Sequence, residues 1–168
     1  MNEEIYNKIY DKVKNNSVLY GLFKISDKVS VALMVIVYFI ILAREIYNGC
    51  YKRAIKIVMV TSSAFGFVTI IRKVIKCQRP FEKMDIKPLY ENISRKKEQN
   101  SFPSRHATSA MVIAMAALYE NVLLGIFMFI IAIIIAFLRV IGGVHYIKDV
   151  VVGSIIGIVT GILGFFVK

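Results

Sequence analysis

Ionisable residues are scarce in the apolar parts of this 168-residue chain, and the few that occur are spaced for chemistry. Arg139, His145 and Asp149 lie within Leu138–Gly153, which reads L-R-V-I-G-G-V-H-Y-I-K-D-V-V-V-G between two long apolar runs. The second of the chain's 2 histidines, His106, ends the run Phe102-Pro103-Ser104-Arg105-His106 at the mouth of another apolar stretch. Charged groups are costly to keep at the ends of membrane-length segments, so function is their default explanation. If a helix has begun by His145, Asp149 stands one turn on and accepts from one ring nitrogen. That fixes the tautomer and leaves the other nitrogen free to attack phosphorus. His106 is placed to protonate a leaving oxygen. Ser104 can cap the helix that follows and donate to an oxyanion bound at its N-terminus. Arg72, Arg79, Arg105 and Arg139 add guanidinium forks suited to phosphate. Gly142 and Gly143 would let the backbone approach the ligand closely. Together these groups describe phosphoryl transfer through a phosphohistidine, driven by positioning and positive charge without metal. Two histidines and a carboxylate also suit iron or zinc, but four nearby arginines repel a cation. A single arginine or membrane histidine is readily explained as a snorkelling or structural residue. Their convergence is not.

The elements that would position these residues are apolar helices. Residues 1–22 read as an amphipathic interfacial helix, with Ile5, Ile9 and Val13 every four residues and Lys8, Lys12 and Lys14 on the polar side. An ordinary cap packed on the bundle fits the same pattern. Spans are expected at about Ser30–Tyr47, ending at Arg44 and Glu45, and at about Ile55–Ile75, with Arg72 and Lys73 at its far end. Ser104–Tyr119 is a third, short enough to be enclosed by others and rich in small residues that favour close helix contact. Asn121–Leu138 and Val150–Val167 complete five. Gly153, Gly157 and Gly161 form a close-packing seam on the last. Between the second and third spans, residues 76–103 are polar and mixed in charge, through Arg79, Glu82, Lys83, Asp85, Lys87, Glu91, Arg95, Lys96, Lys97 and Glu98. That is long for a plain connection, so the segment reads as a lid over a site or a mobile loop. Alternate crossing brings Arg72, Arg79, Ser104, Arg105, His106, Arg139, His145 and Asp149 to one membrane face.

Composition supports this class. Hydrophobic residues make up 57% and come in blocks, as in an all-α integral membrane bundle forming one domain. The net charge of +11 is compatible with nucleic acid, anionic lipid or a phosphate-bearing substrate. Nucleic acid is disfavoured, because the basic residues flank apolar spans instead of forming a soluble patch. Cys50 and Cys77 fall at opposite ends of a span and should remain free thiols. The start, Met-Asn-Glu-Glu, lacks the basic region of a cleavable signal peptide.

The same residues resemble the type 2 phosphatidate phosphatase (lipid phosphate phosphatase) superfamily, whose soluble relatives include bacterial acid phosphatases and vanadium haloperoxidases. Its pattern has three blocks, K-x6-R-P, P-S-G-H and S-R-x5-H-x3-D. Here they read Arg72-x6-Arg79-Pro80, Pro103-Ser104-Arg105-His106 and Leu138-Arg139-x5-His145-x3-Asp149. Blocks and connecting helices cover roughly residues 55–167. The resemblance implies that His145 is the nucleophile, Asp149 its orienting partner and His106 the acid. It implies phosphate contacts from Arg72, Arg79, Ser104 and Arg139, and no cofactor. Arg72 replaces the family lysine, and neighbouring Lys73 offers a substitute. Arg105 replaces glycine, adding charge beside the site, and Leu138 replaces a serine.

A site at the membrane surface suits a lipid phosphate. The additional Arg105 favours a diphosphate such as a polyprenyl (undecaprenyl-type) carrier over phosphatidate or phosphatidylglycerol phosphate. Transfer to another acceptor in place of water, or lipid-phosphate binding without catalysis, are the rivals. Five spans without a repeat give no pair of alternating halves for a transporter. In bacterial relatives the site faces away from the cytoplasm, which puts the short basic turn at Lys52, Arg53 and Lys56 inside. A plain count of lysines and arginines points the other way. Nothing in the sequence fixes an oligomeric state.

Overall fold

The structure is a computed structural model that describes residues 3–84, 86–90 and 100–167. Of the mixed-charge segment, Asp85, Glu91, Arg95, Lys96, Lys97 and Glu98 lie outside the described residues. The described chain is helical, as its apolar blocks require: α1 (Glu3–Lys14), α2 (Ser17–Tyr47), α3 (Tyr51–Val74), the single turn α4 (Pro80–Lys83), α5 (Arg105–Glu120), α6 (Val122–Ile141) and α7 (Ile147–Gly161), which runs on into a π-helical turn at Ile162–Phe166.

Four helices among the described residues, not five, are long and apolar enough to cross a bilayer: α2, α3, α6 and the combined Ile147–Phe166. The expected third span is α5, only 16 residues long. Its Ala107, Ala110, Ala114, Ala116 and Ala117 are all buried, so it is a central post wrapped by the others. A helix shielded from lipid on its flanks does not need full bilayer length. The outward faces are apolar instead, with Ile36, Phe39 and Ile40 on α2 and Ile126, Ile130 and Phe137 on α6 exposed. In a bilayer those side chains meet lipid tails at no desolvation cost.

The glycine seam of α7 packs on this post. A Cβ on Gly153 would lie 2.6 Å from the Ser104 carbonyl oxygen, and one on Gly157 2.5 Å from that of Thr108. Both obstacles are backbone, so α7 can lie this close only where a side chain is missing. The contact brings the start of α7, with Asp149, against the start of α5, with Ser104. The Ser104 amide donates to the Asp149 carbonyl at 2.9 Å.

The first span begins earlier than its hydropathy suggests. Asn16 caps α2, accepting from the amides of Val18 (3.0 Å) and Leu19 (3.1 Å). The helix then continues unbroken for 31 residues. At 1.5 Å per residue that is about 46 Å, against roughly 30 Å of hydrocarbon. The helix is therefore longer than a crossing requires, and its first turns bring Lys24, Asp27 and Lys28 beside the site. The expected interfacial helix over residues 1–22 is correspondingly divided, ending as α1 at Lys14. It packs as a cap, with Tyr6 only 1% exposed and Ile5 outward. At the far end of α2, Glu45 is not a solvated boundary marker. It is buried, 3.6 Å from the Arg53 guanidinium.

Candidate active site

Three helix ends and one helix flank enclose a cavity of about 390 Å³. Arg72 reaches it from the end of α3, Arg105 and His106 from the start of α5, and Arg139 from the end of α6. Arg79 and His145 enter from the connections, and Phe23, Lys24, Asp27 and Lys28 from the first turns of α2. Residues more than 70 apart in sequence thus share one anion-sized space, open at the bundle end. Six cationic side chains face one carboxylate, Asp27, among the described lining residues.

His145 is not yet helical; it precedes Tyr146, the N-cap of α7. It is 5% exposed. Its Nδ1 lies 3.6 Å from Asp149 Oδ2, an ion-pair distance rather than a hydrogen bond. The same carboxylate oxygen accepts from the Ser101 hydroxyl at 2.5 Å and from the Tyr146 amide at 2.9 Å. Asp149 is thus held by a cap and a hydroxyl, and only then presented to the imidazole. Burial lowers the His145 pKa; Asp149 opposes the shift, and Arg79 and Arg72 add to it. The ring is therefore neutral near pH 7, with Nδ1 toward the carboxylate and Nε2 available as a nucleophile.

The other sequence candidates divide. Arg79, Arg105, His106 and Arg139 line the cavity. Arg72 lines it too, but its guanidinium is already engaged: Nη1 donates to the carbonyls of Ser101 (3.3 Å) and Pro103 (2.8 Å), and Nη2 to that of Asn100. It is a strut that shapes the loop ahead of α5. Lys73 is exposed and does not line the cavity, because the next residue on a helix points about 100° away. Ser104 is fully buried, not lining the cavity, and caps α5 through the amide of Ala107 at 3.5 Å. The two glycines before His145 admit tyrosines rather than ligand. A Cβ on Gly142 would meet the Tyr90 ring at 2.2 Å, and one on Gly143, at φ +74°, the Tyr6 hydroxyl at 2.3 Å. Tyr6 in turn donates to the Lys87 carbonyl at 3.0 Å, which fixes α1 over the His145 loop.

Four contributors escaped the sequence reading. Ser101 stood out only as a helix breaker, yet it orients Asp149. Asp27 accepts from Arg139 Nη2 at 2.6 Å and from the Tyr90 hydroxyl at 3.1 Å. Lys24 and Lys28 flank it. The available signal was the spacing of Lys24, Asp27 and Lys28 at i, i+3 and i+4, read together with Asn16-Ser17 as a helix start.

Residues 53–167 match the PAP2 superfamily. The chain belongs to that superfamily. Across 167 residues it is 27% identical to the undecaprenyl-diphosphatase BcrC of Bacillus subtilis strain 168, a match covering 98% of this chain and 83% of that protein. The fold is shared with LpxE of Aquifex aeolicus, at a TM-score of 0.72 and 22% identity over 97% of this chain and 93% of that one. It is shared too with a PAP2-type phosphatidylglycerolphosphate phosphatase of Bacillus subtilis, at 0.70 and 19%, over 96% and 85%. This PAP2 chain is a membrane-embedded phosphatase, and its cavity is where the family's three sequence blocks meet.

Proposed function

We propose that this PAP2 phosphatase hydrolyses a polyprenyl diphosphate of the undecaprenyl type to the monophosphate and orthophosphate, on the extracytoplasmic face of the membrane. The observation that carries the reading is the cavity itself: two histidines among cations that outnumber what a single phosphate needs, with Arg105 in place of a small residue. The likeness to an undecaprenyl-diphosphatase over nearly the whole chain supports the same substrate class.

In the first half-reaction His145 Nε2 forms a bond to the terminal phosphorus while the bond from that phosphorus to the bridging oxygen breaks. His106 gives its proton to the departing oxygen. Water then attacks the phosphohistidine, His106 takes one of its protons, and the N–P electron pair returns to Nε2 as orthophosphate leaves. Asp149 holds the ring and balances the positive charge it carries while phosphorylated. Arg79, Arg105 and Arg139 offset the charge on the transferring group.

Phosphate release from undecaprenyl diphosphate, phosphatidate and phosphatidylglycerol phosphate by the full chain in mixed micelles tests the substrate. The diphosphate is expected to show a kcat/KM about tenfold or more above either monophosphate, the worth of one or two additional charged hydrogen bonds. A preference for the monophosphates would end the diphosphate reading.

Sidedness rests on the dense turn of Lys52, Arg53 and Lys56, which the positive-inside tendency places in the cytoplasm. The two free thiols report it, since Cys50 lies at that turn and Cys77 at the site end. In intact cells a membrane-impermeant maleimide is expected to label Cys77 and spare Cys50. The reverse pattern would put the site in the cytoplasm.

A further inference from the structure

The family match begins at residue 53 and its three blocks lie between Arg72 and Asp149, yet one wall of the cavity belongs to neither. That wall is the first stretch of α2. Lys24, Asp27 and Lys28 share one helix face and turn it to the cavity. The wall is also tied down. Asp27 accepts from Arg139 of the third block at 2.6 Å and from Tyr90 at 3.1 Å, joining α2 to α6 and to the segment before α5. Phe23 and Leu89 pack with Leu138 directly beneath. A carboxylate in a phosphate cavity works against anion binding unless it does something else. Here it fixes the distance between the motif arginines and the two lysines.

We infer that Lys24 and Lys28 form a second anion subsite beside the motif arginines, which takes the lipid-proximal phosphate of a diphosphate, and that Asp27 is the positioning residue holding this wall against Arg139. The inference rests on the reading of the cavity as a lipid phosphate site. When the bond to the terminal phosphorus breaks, the bridging oxygen leaves on the proximal phosphate. Two ammonium groups beside it then stabilise the departing anion as well as the bound one. A lipid monophosphate has no group for this subsite. The α2 wall thereby sets substrate class while the motif residues supply the reaction.

Calorimetric titration of the detergent-solubilised full chain with methylenediphosphonate, whose bridging carbon cannot be cleaved, and with methylphosphonate tests this without turnover. The wild type is expected to bind the diphosphonate about tenfold or more tightly than the monophosphonate, a margin that falls below about threefold in the Lys24→Gln/Lys28→Gln protein. Asp27→Asn separates positioning from plain charge. Loss of a carboxylate should tighten both ligands if only the field matters, whereas a slackened wall costs the diphosphonate its margin. A double lysine variant that keeps the margin, equal weakening of both ligands, or a wild type with no margin each overturns the subsite. Faster turnover of lipid monophosphates would sink the diphosphate substrate separately, because the phosphonate margin is measured without any lipid.

Discussion

His145→Ala is expected to abolish turnover of every lipid phosphate, lowering kcat by at least about 10⁵-fold, because no other group can form the bond to phosphorus. His106 is the only other histidine, and it is assigned the leaving-group side. Neither the cysteines nor Ser104 line the cavity. The loss should not come from unfolding. His145 Nδ1 makes no hydrogen bond, so alanine removes little bonding from the fold. Binding of methylphosphonate should therefore persist while phosphate release disappears. A complementary readout is the intermediate itself: rapid acid-free quenching of the wild type with ³²P-labelled substrate should leave acid-labile, base-stable label on the protein, and the variant none. Retained turnover in the variant would remove the phosphohistidine from the mechanism.

His145 is legible in the sequence, whereas other contributors emerge only in the fold, because the two kinds of information are written differently. Arg139, His145 and Asp149 are legible because fixed spacing around a helix start puts them together locally, and an apolar background makes every charge conspicuous. The same holds for His106 and Arg105 at the start of α5. What the sequence does not carry is direction. Arg72 and Lys73 are adjacent and alike in charge, but one points into the bundle and the other away. Which of two neighbours faces inward depends on the rotation of α3 against α5, a packing outcome. Arg72 reads as a phosphate ligand because it is cationic, and it does line the cavity. Its nearest acceptors are the carbonyls of a loop that comes 28 to 31 residues later.

The first turns of α2 were missed for a different reason. Hydropathy marks where lipid begins, whereas Asn16 marks where the helix begins, and here the two differ by more than a dozen residues. Residues between those points are helical but interrupted by charge, so a search for spans discards them. They carry Lys24, Asp27 and Lys28. The count of spans differs by one, in the opposite sense. The third apolar segment is a genuine helix, but its alanines serve contact with α6 and α7, and a post enclosed by other helices is not held to the thickness of a bilayer.

Asp149→Asn is expected to lower kcat about 10⁴-fold with KM little changed, the scale seen when the carboxylate that orients a catalytic imidazole is made neutral. The substitution is informative because Asp149 has two duties. One is structural: its Oδ2 accepts from Ser101 and from the Tyr146 amide, starting α7 and tying it to the loop ahead of α5. Asparagine keeps an oxygen for both donors, so the helix start survives. The other duty is electrostatic, and there asparagine fails. Without the negative charge 3.6 Å from Nδ1, nothing balances the ring once it carries phosphate. Asp149→Ala removes both duties, leaving the buried Ser101 hydroxyl and the Tyr146 amide unpaired at a cost of about 2–4 kcal/mol. The pair should therefore split: both variants lose turnover, but only the alanine protein shows a clearly lowered thermal midpoint in detergent. Equal destabilisation of the two would make Asp149 chiefly a cap. An asparagine protein with more than about a tenth of wild-type kcat would deny the carboxylate its orienting role, since lost electrostatic orientation costs far more than that.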